Sequence, residues 1–175
     1  MRRLAEADRI RRFMRLLGAA ARKEASAYFT GGASAVLMGW RAATIDVDVA
    51  FVPDSDDLLR ALPDLKEQLE LNVELASPSD FLPELPGWKG RSVFVAREGK
   101  VSFFHYDFYA QALAKIERGH AQDRLDVRSM LDAGLVVPIT LRELLDAIVP
   151  ELYRYPAVDP AALRRAVVEA LTGRT

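Results

Sequence analysis

The stretch Ala43-Thr44-Ile45-Asp46-Val47-Asp48-Val49-Ala50-Phe51-Val52 decides the fold. Ile45, Val47, Val49 and Phe51 alternate with Thr44, Asp46, Asp48 and Ala50, the period-2 pattern of a strand with one face in a core. Pro53 ends it. Upstream, Ser26-Ala27-Tyr28-Phe29-Thr30 is a short β-prone segment, Gly31-Gly32-Ala33-Ser34 a glycine turn, and Ala35 to Trp40 a helix. The order is therefore strand, turn, helix, strand. Downstream, Asp54 to Asp57 supply acidic N-terminal signals for a helix carrying Leu58, Leu59, Leu62, Leu65 and Leu69, which Pro63 should kink or split. A second alternating strand spans Glu70 to Leu75.

Working outward, apolar Leu4, Ile10, Phe13, Leu16 and Leu17 recur at helical spacing from Arg3 to Lys23, with arginines on the opposite side. This predicts an amphipathic helix ending near Glu24. Its arginine face reads either as a solvated cover or as a surface for an acidic partner. Ala76 to Gly90, with Pro78, Pro83, Pro86 and Gly87, reads as a surface loop. Arg91 to Ala96 and Val101 to Tyr106, joined by Arg97-Glu98-Gly99-Lys100, read as a β-hairpin. From residue 108 the pattern is helical. One helix covers 108–118 and stops at Gly119; Asp123 caps a second that runs to Ala133; Thr140 and Glu143 form a capping box for a third; Asp159-Pro160 opens the last, which ends at Gly173. The expected class is α/β (α+β): a small mixed β-sheet with flanking helices and a helical C-terminal part. Residues 1–107 form the core with its N-terminal helix and 108–175 the helical part, as one compact unit.

The composition is that of a globular domain: 175 residues, 50% hydrophobic, 28% charged, mean hydropathy zero. The absence of cysteine excludes disulfide scaffolds, cysteine-based metal centres and thiol nucleophiles. No apolar run approaches the roughly 20 residues of a membrane span, so the expectation is a cytoplasmic protein with no membrane partner. The net charge of −1 conceals an asymmetry: residues 1–24 hold eight basic and three acidic side chains, a balance of +5, and the remainder sums to −6. A protein that coats nucleic acid through bulk charge is thereby excluded, while a local basic face is not.

Asp46 and Asp48, two apart on a strand, leave the same face with Cα atoms roughly 6–7 Å apart. Two carboxylates so placed on a half-buried strand call for a compensating cation, for which Mg²⁺ suits because it takes one or two carboxylates together with substrate phosphates. The alternative is that both acids face solvent on an edge strand. Gly31 and Gly32 at a helix start offer close backbone approach and exposed amides to an anion, and Ser34 adds a hydroxyl; tight strand-to-helix packing would use the same glycines. His105 and His120 lack metal-ligand spacing, and His105 reads as a hydrogen-bonded structural histidine, with a substrate contact as its alternative.

Gly31-Gly32-Ala33-Ser34 followed by Asp46-Val47-Asp48-Val49 resembles the signature of the nucleotidyltransferase superfamily that includes DNA polymerase beta. The resemblance implies a sheet of the nucleotidyltransferase type, a glycine turn that binds triphosphate, and an acid pair that holds Mg²⁺ or Mn²⁺ with a third carboxylate on a neighbouring strand, here Glu74. Arg41 and Thr44, Ser77-Pro78-Ser79-Asp80-Phe81, His105-Tyr106-Asp107, Ala114 to Arg118 and Gln122 to Val127 are similar to a bacterial subgroup related to nucleotidyltransferases of toxin-antitoxin and abortive-infection systems. That kinship implies Lys115 as a catalytic residue and, more weakly, Asp123 and Asp126, against the capping role of Asp123. The implied reaction moves a nucleoside monophosphate from an NTP to a hydroxyl of RNA, protein or a small molecule. Asp46, Asp48 and Glu74 would hold metal, while Gly31, Gly32, Ser34 and Arg41 would bind the nucleotide. A partner protein from an adjacent gene is also implied. The alternative is a non-catalytic binding or antitoxin-like regulatory module of the same fold.

Overall fold

The computed structural model describes Arg2–Gly173 and divides the chain into two units. The first runs to Ser77 and takes in Ser92–Tyr106; the second comprises Pro78–Arg91 and the chain from Asp107 onward. In the first, β1 (Ala5–Glu6) leads into α1 (Ala7–Ala20), β2 (Ala25–Thr30), α2 (Gly31–Met38), β3 (Ala43–Thr44), β4 (Asp46–Val52), α3 (Asp56–Gln68), β5 (Asn72–Leu75), β6 (Val93–Glu98) and β7 (Val101–His105). Five strands form one mixed sheet in the order β5-β4-β2-β7-β6, with β4 antiparallel to β2 and parallel to β5. β2 pairs parallel with β7, and β6 antiparallel with β7.

Alternation sorts the sheet's two faces. Ala27, Phe29, Val47, Val49, Phe51, Val73, Val101 and Phe103 enter one core cluster with Ile10, Phe13, Met14 and Leu17 of α1 and Leu58, Leu62 and Leu65 of α3. The other face carries Asp46 and Asp48 of β4 and Asn72 and Glu74 of β5. β4 has a neighbour on both sides, so the edge-strand alternative for its acids does not hold.

Several local expectations are corrected. The first helix begins at Ala7 because Ala5–Glu6 pairs antiparallel with Ala43–Thr44, and it ends at Ala20, where Ala21 leaves extended. That pairing also interrupts the long strand at Ile45. Gly31 and Gly32 form the first turn of α2 itself rather than a loop before it. Pro63 sits inside an unbroken α3 on its exposed side, where the carbonyl it leaves unpaired can reach water. β5 starts only at Asn72, after Glu70 turns the chain at φ +53°. The first hairpin strand is shifted by two residues, to Val93–Glu98, because Trp88–Arg91 is helical, while the second starts at Val101 as expected and ends at His105.

In the second unit, α4 (Trp88–Arg91) precedes α5 (Phe108–Arg118), α6 (Ala121–Asp132), α7 (Pro138–Ile148) and α8 (Pro160–Thr172). α5 packs on α6, α7 and α8. The segment expected to wander over the surface is anchored: Leu82, Leu85 and Trp88 are buried, and the Tyr155 hydroxyl donates to the Ser79 carbonyl at 2.9 Å. Asp159 caps α8 as expected, accepting from the Ala161 amide at 3.1 Å. Asp123, by contrast, lies one turn inside α6, whose cap is His120, and Thr140 lies inside α7, which starts at Pro138. No helix among the described residues is long and apolar enough to cross a membrane.

Backbone meets backbone where α1 crosses the hairpin turn. A Cβ on Gly18 would stand 2.3 Å from the Glu98 carbonyl oxygen, and one on Gly99 would stand 2.6 Å from that of Gly18. Neither partner can rotate away. Gly18→Ala is expected to destabilise the protein by about 2–3 kcal/mol, lowering Tm by roughly 5–10 °C in a thermal melt; an unchanged Tm would refute this close approach.

Candidate functional site

The acid face is built by register. Asp46 faces Asn72 and Asp48 faces Glu74 across the parallel β4–β5 pair, while Asp48 faces Thr30 across the antiparallel β4–β2 pair. Cα atoms of such partners are about 5 Å apart, so the three carboxylates share one patch at the end of β2 where α2 begins. Asp46 and Asp48 are half-buried and Glu74 is exposed.

The two glycines explain how α2 starts so close to this patch. Gly31 has φ +59°, and a Cβ there would lie 2.9 Å from Oδ2 of Asp48. A Cβ on Gly32 would lie 2.0 Å from Oγ1 of Thr44 and 3.3 Å from a guanidinium nitrogen of Arg41. Glycine is thus required at both places by steric fit, and the same fit puts the positive end of an eight-residue helix between the Asp48 carboxylate and the Arg41 guanidinium. Thr44 is held by a hydrogen bond from its hydroxyl to the Asp46 carbonyl at 3.1 Å.

Sequence reading missed two residues here. The Asn72 side-chain amide donates both to Oδ1 of Asp46 and, at 3.0 Å, to Oε1 of Glu74, and Arg2 donates to Oδ1 of Asn72. Asn72-Val73-Glu74 repeats the polar-apolar-polar rhythm of Asp46-Val47-Asp48, which is the one signal that could have flagged Asn72. Among the described residues no three His, Cys, Asp or Glu side chains are grouped to hold a metal. Asp46 and Asp48 are the carboxylates that could hold an ion here, with substrate oxygens and water completing its shell.

Ser34 is fully buried. Its hydroxyl donates to the Phe29 carbonyl at 3.1 Å and lies 3.0 Å from Nδ1 of His105. Ser34 and His105 thus brace α2 against β2 and β7 from within, a placement unlike the phosphate grip expected of Ser34. Burial pushes the His105 imidazole down to about 4, so it is neutral at physiological pH.

Lys115, Asp123 and Asp126 lie in the second unit and form one buried ion cluster. Lys115 Nζ donates to Oδ2 of Asp126 at 2.8 Å and sits 3.5 Å from Oδ1 of Asp123. Arg118 grips Asp123 with two nitrogens at 2.7 and 2.5 Å, and the His120 amide adds a bond at 3.2 Å. Burial alone would raise the Asp123 carboxyl, but the Arg118 hydrogen bonds, the charges of Lys115 and Arg118 and the His120 amide hold it below the usual carboxylate range. Asp107, from the His105-Tyr106-Asp107 trace, caps α5 through the Tyr109 amide at 3.2 Å and takes two bonds from Arg91 at 3.1 and 2.7 Å.

A family model described as a nucleotidyltransferase of unknown function, DUF6036, matches residues 8–156, and the chain belongs to that family. No match is found among curated proteins or among solved structures.

His105 and the Lys115 cluster each set a measurable stability. In the unfolded chain a histidine titrates near 6.5, whereas His105 stays neutral down to about 4 in the fold, so its contribution is complete above pH 6.5 and is lost as pH falls toward 4. Urea denaturation should show about 2 kcal/mol of this loss by pH 5 in the wild type and clearly less in His105→Gln; equal losses would contradict the burial. Lys115→Met leaves Asp126 buried without its cation and should cost about 3–5 kcal/mol, much of which Lys115→Met with Asp126→Leu restores. A cost under about 1 kcal/mol for the single variant would count against the cluster's structural role.

Proposed function

We propose that this member of the nucleotidyltransferase family transfers a nucleoside monophosphate from an NTP to a hydroxyl of an RNA, protein or small-molecule acceptor, using Mg²⁺ or Mn²⁺. The supporting observation is the placement of Asp46 and Asp48 on one face of an interior strand, with the Asp48 carboxylate against Gly31 at the start of α2. Asp46 and Asp48 would hold the ion, with Glu74 as the third carboxylate once Asn72 releases it. When bound, such an ion neutralises phosphate charge and lowers the pKa of the attacking hydroxyl.

The chain's own groups divide the remaining work. The amides of Gly31 and Gly32 receive the β and γ phosphates at the helix start, and Arg41 beside them offsets negative charge. The acceptor oxygen attacks the α-phosphorus, its bond to the bridging oxygen breaks, pyrophosphate leaves, and the hydroxyl proton passes to solvent. Lys115, which the resemblance marks as catalytic, is paired with Asp126 at 2.8 Å within the second unit, and a catalytic part for it would require that pair to open. The subgroup motifs extend the proposal to a toxin-antitoxin or abortive-infection role, with a partner protein encoded by an adjacent gene.

A second reading, a nucleotide-binding or antitoxin-like regulatory module without turnover, is favoured by the Asn72 amide, which occupies oxygens of both Asp46 and Glu74. Incubating the protein with host RNA and protein extract, Mg²⁺ and each α-labelled NTP separates the two. Catalysis predicts labelled product that falls at least about 10³-fold in the Asp46→Ala, Asp48→Ala variant. Equal labelling by both proteins would sink the proposal. A rise in Tm with Mg²⁺ and NTP but no labelling would establish the second reading instead.

A further inference from the structure

The arginine face of α1 has no part in the site described above. Arg11, Arg12 and Arg15 are exposed and make no hydrogen bond or ion pair to another described residue. Arg11 and Arg15 stand one turn apart, about 6 Å along the axis. Beside them, Arg3, Arg9 and Arg12 enter a 380 Å³ cleft together with Asp8 and Glu70. Arg3 pairs with Glu70 at 2.7 Å and Arg9 donates to the Leu69 carbonyl at 3.4 Å, so both are fixed in place while Arg12 projects into the cleft without a bond.

We infer that this face binds the phosphate backbone of an RNA, and that RNA is therefore the acceptor class for the transfer proposed above, on which this last step rests. Charge complementarity carries the inference. In α1, Ile10, Phe13, Met14 and Leu17 are buried and Leu16 is half-buried against the same core, so the exposed positions around Arg11, Arg12 and Arg15 carry no aromatic or large aliphatic anchor. A protein interface draws its energy from such anchors, and an interfacial membrane helix needs an exposed apolar stripe. Affinity here comes from guanidinium groups alone, which suits a ligand with a regular series of negative charges. The +5 balance of residues 1–24 against −6 for residues 25–175 makes this N-terminal segment the net basic part of the chain, where a polyanion is favoured over the chain's average surface. The N-terminal arm also links this face to the acids, because Arg2, two residues before Leu4, bonds to the Asn72 side chain that in turn bonds Asp46 and Glu74.

The test measures fluorescence anisotropy of a labelled single-stranded RNA of about 20 nucleotides between about 50 and 200 mM salt, without divalent ions or NTP. The Arg11→Gln, Arg12→Gln, Arg15→Gln variant should bind about tenfold or more weakly at low salt, with the slope of log K against log salt smaller by about 2. A Lys89→Gln, Arg142→Gln, Arg165→Gln control, equal in charge change but placed in the second unit, should bind like the wild type, and both variants should melt like it. The inference is overturned if the two variants weaken equally, if the wild type shows no salt-dependent binding, or if a polyglutamate peptide of matched charge displaces the RNA as well as unlabelled RNA does. Because no nucleotide is present, RNA binding through these arginines stands even if labelling fails. Conversely, if the α1 variant labels RNA as the wild type does, RNA docking on α1 falls and the transferase proposal survives.

Discussion

The strand β4 is hydrogen-bonded on both edges, and that double pairing governs the rest of the first unit. A slip of one residue would carry Asp46 and Asp48 into the cluster now filled by Val47, Val49 and Phe51, where unpaired carboxylates are intolerable. Register and chemistry are therefore the same constraint. The fold can keep its core only by presenting both acids on the opposite face, next to the start of α2 and across from Glu74.

The glycine pair converts that register into a site. Gly31 and Gly32 are usually considered for their freedom, yet here their lack of a side chain matters as much: Gly31 leaves room for the Asp48 carboxylate, and Gly32 for Thr44 and Arg41. A helix start is thereby wedged between an acid and a guanidinium. Beneath it, the Ser34–His105 contact closes the buried side with a neutral hydrogen-bonded pair. Steric fit accounts for both glycines, and the anion site proposed at the same helix start would make no conflicting demand on them.

Most of this was legible in the residues. Period-2 alternation exposed β4, β5 and the hairpin, and the acids' shared face followed from it. What escaped depends on partners distant in sequence. The break at Ile45 is caused by Ala5–Glu6, the role of Asn72 by its pairing with Asp46, and the burial of Ser34 by His105, none of which a local window contains. The motif carrying Lys115, Asp123 and Asp126 was visible as a pattern, but only three-dimensional placement showed a mutually neutralising buried cluster. Asp123 does serve the start of α6, but from the third helical position: its carboxylate accepts from the His120 amide at 3.2 Å, and His120, an uncommon capping residue, is the N-cap.

The central claim is that the β4 acids and the start of α2 together hold a metal-bound nucleotide. Paramagnetic broadening of backbone amide signals by Mn²⁺, titrated with a non-hydrolysable NTP analogue, tests it most directly. The account predicts that the amides of Thr30 to Gly32, Asp46 to Asp48 and Glu74 broaden first, and that Asp48→Asn abolishes the effect. Broadening centred instead on Asp123 and Asp126, or spread evenly over the acidic surface, would contradict it.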